Sequence, residues 1–423
     1  MEKFTRFIET KLAPPLVRFS QIRYLQAIQR VFMTTMPVLI FSSFLILAAA
    51  LPIPGWDKIV ASFSGKLWMG VNSTLGLLSL LVAILCGYHL GAYYHEKGEK
   101  ALPVNTAIVS FLSFMMFNPI FSTAEGQSVV SATFFGSTGI FAAFFISFTA
   151  VEIYRFFMNK NFTIKMPAGV PPMVVDAFTS LIPSMVAIGT YWLIAQVAQV
   201  NVLQIINDGF QPLVSAGKGP VPQFFAFFLD RLLWFTGIHG SNVVQSVMRP
   251  VWIQMFTENA EALQLGLAIP NLLTEEWCNY FIRISVLPIC VLAATSKVKR
   301  YKTLGKMALP ASIFNIAEPI MFGLPLILNP ILFFPWVFGW SFLWIWTYFF
   351  TAIVPILPPV ITQVAWTVPC PISAYLATGG SWIAALFSLG NYFIIGLIFL
   401  PFFKVLEKQA IKEENLIAEG GTN

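Results

Sequence analysis

The chain has 423 residues, of which 57% are hydrophobic and 10% are charged, and its mean hydropathy is +0.75. Because an average soluble domain carries roughly 25% charged residues, this composition excludes a soluble enzyme fused to an anchor and predicts an all-α polytopic membrane protein. The net charge of +6 is scattered over short connecting segments, which is typical of the cytosolic side of a membrane protein and not of a nucleic-acid interface.

The N-terminal segment, residues 1–30, places apolar side chains at helical spacing beside lysine and arginine, which predicts an amphipathic stretch on the cytosolic membrane surface. Apolar runs then predict spans near Val31–Leu51, Val71–Tyr94, Ala101–Phe121, Gly136–Met158, Asp176–Val200 and Pro222–Gln245. Basic residues follow the second and fourth of these spans. The positive-inside rule therefore places the N-terminus in the cytosol.

Two later segments are not predicted to cross the membrane as continuous helices. Asn279–Ala294 is short, and the basic run Lys297–Lys302 that follows it also belongs in the cytosol, which predicts a re-entrant hairpin near 279–294. Proline and glycine interrupt the segment near 359–380, which predicts a second hairpin. Further crossings are predicted near Lys306–Phe322, Leu324–Gly339, Ser341–Ile356 and Ile383–Phe403. The total is about ten transmembrane helices plus two re-entrant hairpins, with both termini cytosolic.

Ionisable residues are distributed unevenly along the chain. They are rare in the spans of residues 31–220, apart from Glu152, whereas polar and interrupted elements crowd the region 221–403. This asymmetry predicts a scaffold half followed by a substrate-binding half, with a charged cytosolic tail at 404–423.

His239 lies between glycines in a predicted span. An ionisable group inside a membrane is costly, so it is a functional candidate, and flanking glycines let a ligand approach the backbone. A buried imidazole bonded to a carbonyl is the alternative interpretation.

Glu318 precedes Pro319 in a stretch that proline should break, which frees backbone groups to face a polar ligand. Its carboxylate could act as a general base for a substrate hydroxyl. A structural ion pair with Arg249 or Arg283 is the alternative.

Trp366 lies in the second predicted hairpin, where an indole could stack on a sugar ring or could serve as packing or an interface anchor. The adjacent Asp230 and Arg231 are interpreted as structural charges that need not pair with each other, and Glu275 and Glu276 as interfacial residues. The four cysteines show no C-x-x-C spacing, so the sequence predicts no disulfide framework and no metal site. No P-loop motif is present, so ATP is not expected to bind in the P-loop manner.

Three ordered motifs resemble the membrane subunit, enzyme IIC, of the bacterial phosphotransferase system in its lactose/cellobiose/diacetylchitobiose group. Trp234–Gly240 matches W-x-x-G-I-H-G, and Asn315–Pro319 with Phe322–Pro325 matches N-I-x-E-P-x-x-F-G-x-P. Trp366–Pro371 and Leu376–Gly380 match the late W-T-x-P-x-P and L-A-T-G-G elements.

The resemblance implies a homodimer in the bacterial plasma membrane, with ten spans and two re-entrant hairpins per subunit. It implies import of a disaccharide whose 6-hydroxyl is phosphorylated by a separate enzyme IIB carrying a phosphocysteine. Glu318 is then the expected base and His239 a ligand of the sugar and phosphate side, both of them catalytic. Asn315, Trp366, Asn242 and Arg283 complete the expected substrate-binding set.

Arg283 marks a departure from the family, because it stands where a glycine-rich turn is expected. It could contact a polar or anionic group of the ligand, or it could balance Glu318. Two other functions remain open. One is a proton-coupled secondary sugar transporter in which His239 and Glu318 form a relay, and the other is a receptor that binds sugar without transporting it.

Overall fold

The computed structural model describes residues 21–50, 55–123, 125–167, 169–283, 286–324 and 326–420, together with Pro15 and Arg18. Most of the predicted amphipathic stretch at 1–30 lies outside these residues. Its last part belongs to the first long helix, because helical structure is continuous from Arg23 onward.

In the first half of the described chain, the helices are α1 (Arg23–Ala49), α2 (Trp56–Val60), α3 (Ser64–Asn72), α4 (Leu78–Glu96), α5 (Pro103–Met115), α6 (Ile140–Asn159), α7 (Pro172–Trp192) and α8 (Val202–Gly217). Between α5 and α6, β1 (Phe121–Ser122) and β2 (Ser128–Val129) form a short antiparallel pair in which Phe121 faces Val129.

In the second half of the described chain, the helices are α9 (Pro220–Phe235), α10 (Gly240–Gln264), α11 (Glu275–Phe281), α12 (Leu287–Ala294), α13 (Lys299–Ile313), α14 (Glu318–Gly323), α15 (Pro330–Phe334), α16 (Trp340–Tyr348), α17 (Cys370–Ala377) and α18 (Trp382–Gly420). Several of these helices are short, and their ends lie close to the polar residues that the sequence singles out.

Among the described residues, six helical segments are long and apolar enough to cross a membrane. They are Arg23–Ala49, Ser64–Glu96, Ser137–Asn159, Pro172–Val197, Pro330–Ile353 and Trp382–Glu414. The chain is therefore a multi-pass helical membrane protein. Some hydroxyls within these segments bond to their own helix: in α1, the Ser42 and Ser43 hydroxyls donate to the carbonyls of Val38 and Leu39. Such bonds lower the cost of placing a hydroxyl in lipid.

Two large hydrophobic clusters organise the packing of the described residues. One is built mainly from α1 and α4–α8, with Leu78, Phe114 and Tyr154 among its fully buried members. The other runs from α9 to α18 and buries large aromatic side chains such as Trp277, Trp336 and Phe399. Helix α10 sends Ile253 and Phe256 into the first cluster, and its Trp252 belongs to a small cluster against which Ala226 and Leu229 of α9 pack. The two parts are therefore joined through α10.

The predicted span Pro222–Gln245 is wrong as a single helix, because the chain breaks between α9 and α10. The crossings predicted at Leu324–Gly339 and Ser341–Ile356 are likewise one segment, continuous from Pro330 to Ile353. The boundary between these two predicted crossings falls at Gly339, where a Cβ would lie 2.9 Å from Ile398 of α18. This glycine permits close packing of two helices and does not end one.

The last helix continues beyond the crossing predicted at Ile383–Phe403. Helix α18 continues through the charged stretch because Leu406 and Ala410 stay buried along one face. The Glu407 carboxylate, 4% exposed, accepts hydrogen bonds from the Ser296 hydroxyl and the Lys297 amide at 2.6 and 2.7 Å. These bonds fasten the first turns of the predicted tail to the connection before α13.

Both predicted hairpin segments are interrupted in the structure. The first consists of α11 and α12, with a non-helical break after Phe281. The second is non-helical from Val354 to Pro369 and then forms α17. The Tyr280 hydroxyl donates to the carbonyl of Val364 at 2.9 Å and so joins the two segments.

Candidate functional site

A cavity of about 390 Å³ lies where the interrupted elements meet. It is bounded by α1, by the α9–α10 junction, by α11 and the break that follows it, by the start of α14 and by residues 363–366. Its volume falls within the roughly 300–1,000 Å³ typical of small-molecule sites. The six residues predicted from the sequence to bind substrate all line this cavity: His239, Asn242, Arg283, Asn315, Glu318 and Trp366.

His239 is placed by the break between α9 and α10. Gly237 adopts φ +84°, a left-handed conformation that strains other residues, and so lets α9 end abruptly. Gly240 packs directly against the backbone carbonyl of Asp230, where a side chain would collide. The two glycines therefore turn the chain and put His239 at the cavity wall.

His239 caps the start of α10. Its Nδ1 accepts a hydrogen bond from the backbone N–H of Asn242 at 3.3 Å, which assigns the proton of the neutral ring to Nε2. The ring also packs on Trp234, with centroids 4.2 Å apart. A neutral imidazole held in this way can donate from Nε2 to an oxygen of a ligand.

Glu318 begins α14 after a sharp break. Asn315 adopts φ +63° and so ends the path of α13, and Pro319 then starts the next short helix. Among the described residues, Glu318 forms no hydrogen bond or ion pair. The alternative interpretation, an ion pair with Arg249 or Arg283, is wrong, since those arginines pair with Glu275 and Asp230.

The side-chain amide of Asn315 is hydrogen-bonded to the second interrupted segment. Its Nδ2 donates to the carbonyls of Trp366 and Val368, at 2.6 and 2.9 Å. These bonds hold the segment that carries Trp366 against the break before Glu318. The contact between Asn315 and a sugar remains a prediction.

The Trp366 indole is 51% exposed and lies at the cavity wall together with Gln363 and Ala365. An exposed face of this size can stack on an apolar ligand surface. The structure thus leaves the indole available for the predicted stacking without testing it.

A charged wall forms one side of the cavity, and of its members sequence reasoning singled out only Arg283 for the site. It consists of Asp230, Arg231, Arg249, Glu275 and Arg283, of which all but Asp230 line the cavity. Asp230 and Arg231 do pair, at 2.6 Å, because the long arginine side chain reaches back over its own helix. Glu275 and Glu276, expected at the membrane interface, are 1% and 4% exposed. Several ionisable residues in one apolar region were the available signal.

Helix α1 also contributes to the cavity, and its lining residues include Met33, Met36 and Ile40. The sequence assigned this helix to the scaffold, and apolar side chains at helical spacing carried no sign of a second role. Among the described residues, no group of three side chains could hold a metal ion.

Comparison with known proteins identifies the family. The model of the family described as "Phosphotransferase system, EIIC" matches residues 29–339. The chain belongs to the phosphotransferase system EIIC family. The resemblance drawn from the three sequence motifs is confirmed.

Individual relatives extend this match over nearly the whole EIIC chain. It is 30% identical to the cellobiose-specific EIIC component of Geobacillus stearothermophilus, over 98% of this chain and 96% of that one. It is 29% identical to the lactose-specific EIICB component of Staphylococcus epidermidis, over 98% of this chain and 72% of that one. A solved structure of the transporter ChbC, the IIC component of the N,N'-diacetylchitobiose-specific system, matches with a TM-score of 0.88 at 29% identity. That match covers 97% of this chain and 99% of ChbC.

This EIIC protein is accordingly a membrane-embedded sugar permease component of the phosphotransferase system. A permease of this system works with a sugar substrate and an EIIB protein or domain, and EIIB carries out the phosphoryl transfer.

Proposed function

We propose that this permease imports a disaccharide of the cellobiose, lactose or diacetylchitobiose type and presents its 6-hydroxyl to phosphorylated enzyme IIB. The observation that supports this proposal best is that His239 and Glu318, far apart in sequence, line one cavity. The sugars transported by the named relatives supply the sugar class. No cofactor is required, since the phosphoryl group comes from the partner.

In the proposed reaction, Glu318 accepts the proton of the 6-hydroxyl as that oxygen attacks phosphorus. The P–S bond to the partner's cysteine breaks, and the sulfur leaves as thiolate. A carboxylate free of other partners suits the role of base, because no cation competes for its lone pairs. His239 donates from Nε2 to the sugar or to the phosphate side, and Trp366 stacks on a ring.

The proposed topology has about ten crossings, both termini in the cytosol and re-entrant hairpins near 279–294 and 359–380. The predicted crossings Leu324–Gly339 and Ser341–Ile356 form one segment, which lowers the predicted number of crossings from ten to nine. Helix α10, counted as a crossing separate from α9, brings the number back to ten. Its 25 residues extend about 37 Å, which exceeds the roughly 30 Å hydrocarbon core. Its many buried residues suit a crossing surrounded by protein.

A homodimer is proposed with contacts through the first half of the chain. Helix α7 and its extension to Val197 form the least covered of the six long segments, with 17% of the apolar window buried. Large apolar side chains such as Met185 and Trp192 are exposed along it. A second copy or lipid would cover this face.

Uptake into vesicles tests the proposed function. Vesicles containing this protein and phosphorylated IIB should accumulate cellobiose phosphate, whereas IIB with serine in place of its reactive cysteine should support none. Uptake of unmodified sugar driven by a pH gradient alone would instead indicate the proton-coupled transporter. Binding without uptake under either condition would indicate a receptor.

A further inference from the structure

The charged wall forms one continuous chain of ion pairs. Arg231 and Arg283 share the Asp230 carboxylate, at 2.6 and 3.6 Å. Arg249 and Arg283 share the Glu275 carboxylate, with Arg283 at 3.8 Å. Arg283 thus links two ion pairs that come from α9 and from the α10–α11 region.

The two carboxylates of this wall are buried and already have partners. Asp230 is 0% exposed and also accepts a hydrogen bond from the Ser241 hydroxyl at 2.7 Å. Glu275 is 1% exposed and accepts one from the Gln245 amide at 2.9 Å. Both carboxylates are therefore held by arginines and by neutral donors of the protein itself.

The guanidinium groups, in contrast, have donors to spare. Among the described residues, Arg283 uses only Nη1 in a hydrogen bond, to Asn279 at 3.3 Å, and Arg249 uses only Nη1, to Glu275. Arg231 donates from Nε and Nη2 to Asp230. All three arginines line the cavity, with side chains 9 to 10% exposed.

Aromatic rings hold two of these groups in place. The Arg283 guanidinium lies 5.7 Å from the ring of Trp252, and that of Arg231 lies 5.4 Å from the ring of Trp336. Donors fixed by stacking lose little conformational freedom when a ligand binds. The wall is therefore pre-organised to receive an acceptor.

Within ion-pair distance, the wall holds more cations than anions. Three guanidiniums face two paired carboxylates, and Glu276, although buried nearby, makes no ion pair with any of the three within 4 Å among the described residues. A surplus cation inside a membrane protein is costly unless an anion joins it. Glu318 also lines the cavity, but it is not within ion-pair distance of the wall.

We infer that the preferred substrate is a disaccharide carrying a carboxylate, bound by Arg283 with Arg231 and Arg249. This inference rests on the proposed function and narrows its substrate class. The carboxylate sits on the ring that is not phosphorylated, because the other ring must offer its 6-hydroxyl to Glu318. Planar guanidiniums suit a carboxylate, since two parallel N–H groups can reach its two oxygens.

Calorimetry on the purified full-length protein tests this inference with three probes: cellobiose, cellobiouronic acid and cellobiose 6-phosphate. We expect cellobiouronic acid to bind at least about tenfold more tightly than cellobiose, as a charge-assisted contact predicts. In Arg283→Gln, that ratio should fall to about one. Arg300→Gln, which removes an exposed arginine paired with Glu413 at the protein surface, should leave it unchanged.

If the wild-type protein binds cellobiose as tightly as cellobiouronic acid, or more tightly, the inference is overturned. This comparison needs only the wild-type protein, so it remains decisive even if Arg283→Gln does not fold. Tighter binding of cellobiose 6-phosphate alone, with cellobiouronic acid no better than cellobiose, would also overturn it, because the wall would then bind the phosphorylated product. Phosphorylation by IIB is measured separately on both disaccharides. A preference for the carboxylate with no phosphorylation of either sugar would support the anion site and contradict the proposed function.

Discussion

Two glutamates within helical membrane elements, Glu152 and Glu318, have opposite surroundings. Glu152 in α6 accepts hydrogen bonds from Tyr24 and Arg155, each at 2.9 Å, and from Tyr94, and Arg23 lies 3.5 Å away. Glu318 at the start of α14 has no such partner among the described residues and lines a cavity. A carboxylate in a membrane protein is therefore not in itself a sign of chemistry. Its partners and the space beside it separate a structural role from a functional one.

The comparison predicts its largest effect for Glu318→Gln. The amide keeps the shape and loses the basicity, so phosphorylation of the sugar by IIB should fall by roughly 10²- to 10⁴-fold. Sugar binding and thermal stability should stay close to wild type. Glu152→Gln is the matched variant, and it should retain phosphorylation per folded molecule while lowering the melting temperature. The reverse pattern in the two variants would contradict the assignment.

Asp230→Asn tests the charged wall as a unit. Removing this carboxylate leaves Arg231 and Arg283 without their shared partner in a buried site, which should cost about 3–5 kcal/mol of stability. Denaturant or thermal unfolding in detergent measures the loss. Asp208→Asn, on the amphipathic helix α8, is the control and should change stability little. A stable Asp230→Asn protein would mean that the wall does not depend on its ion pairs.

The Trp366→Ala variant distinguishes stacking from anchoring. We expect a loss of about 1–2 kcal/mol in sugar affinity, as typical aromatic contacts suggest, with unchanged thermal stability. Isothermal titration with cellobiose provides the measurement. Trp382→Ala removes another exposed indole at the start of α18 and should leave affinity intact. Equal losses in both variants would assign Trp366 to packing.

The smallest effect is expected at Glu99, in the connection between α4 and α5. Hydrogen bonds from Arg155 hold the pKa of its carboxyl below the ordinary value. A depressed pKa stabilises the fold above the unfolded-state pKa of about 4.3, and this contribution is lost as the pH falls through the folded-state pKa. Melting temperatures measured from pH 7 downward should drop less steeply in Glu99→Gln. An unchanged slope, equal to that of the exposed-site variant Glu125→Gln, would contradict the prediction.

Much of the architecture could be anticipated from local patterns. Long apolar runs located α1, α4, α6 and α7, because a helix is the cheapest way to satisfy backbone groups in lipid, although individual helix ends differ from the predicted ones by up to eight residues. Glycine and proline near His239 and Glu318 marked the breaks that bring both residues to one cavity. In each case the signal lies within a few neighbouring positions.

The errors arose where a glycine or a charge had more than one possible explanation. Gly339 resembles a helix end in sequence, and only the approach of Ile398 shows that it packs two helices. Arg231 beside Asp230 gave no indication of pairing, since helical geometry separates neighbouring side chains and only the observed rotamer brings them together.

Composition and motif order alone were enough to establish a membrane permease of the EIIC family and to single out His239 and Glu318, since hydropathy and helix-breaking residues act over short stretches of chain. The partners of the buried charges and the share of α1 in the cavity emerged only from the folded arrangement. Those features depend on which distant segments come into contact, and that is settled by the packing of the whole protein.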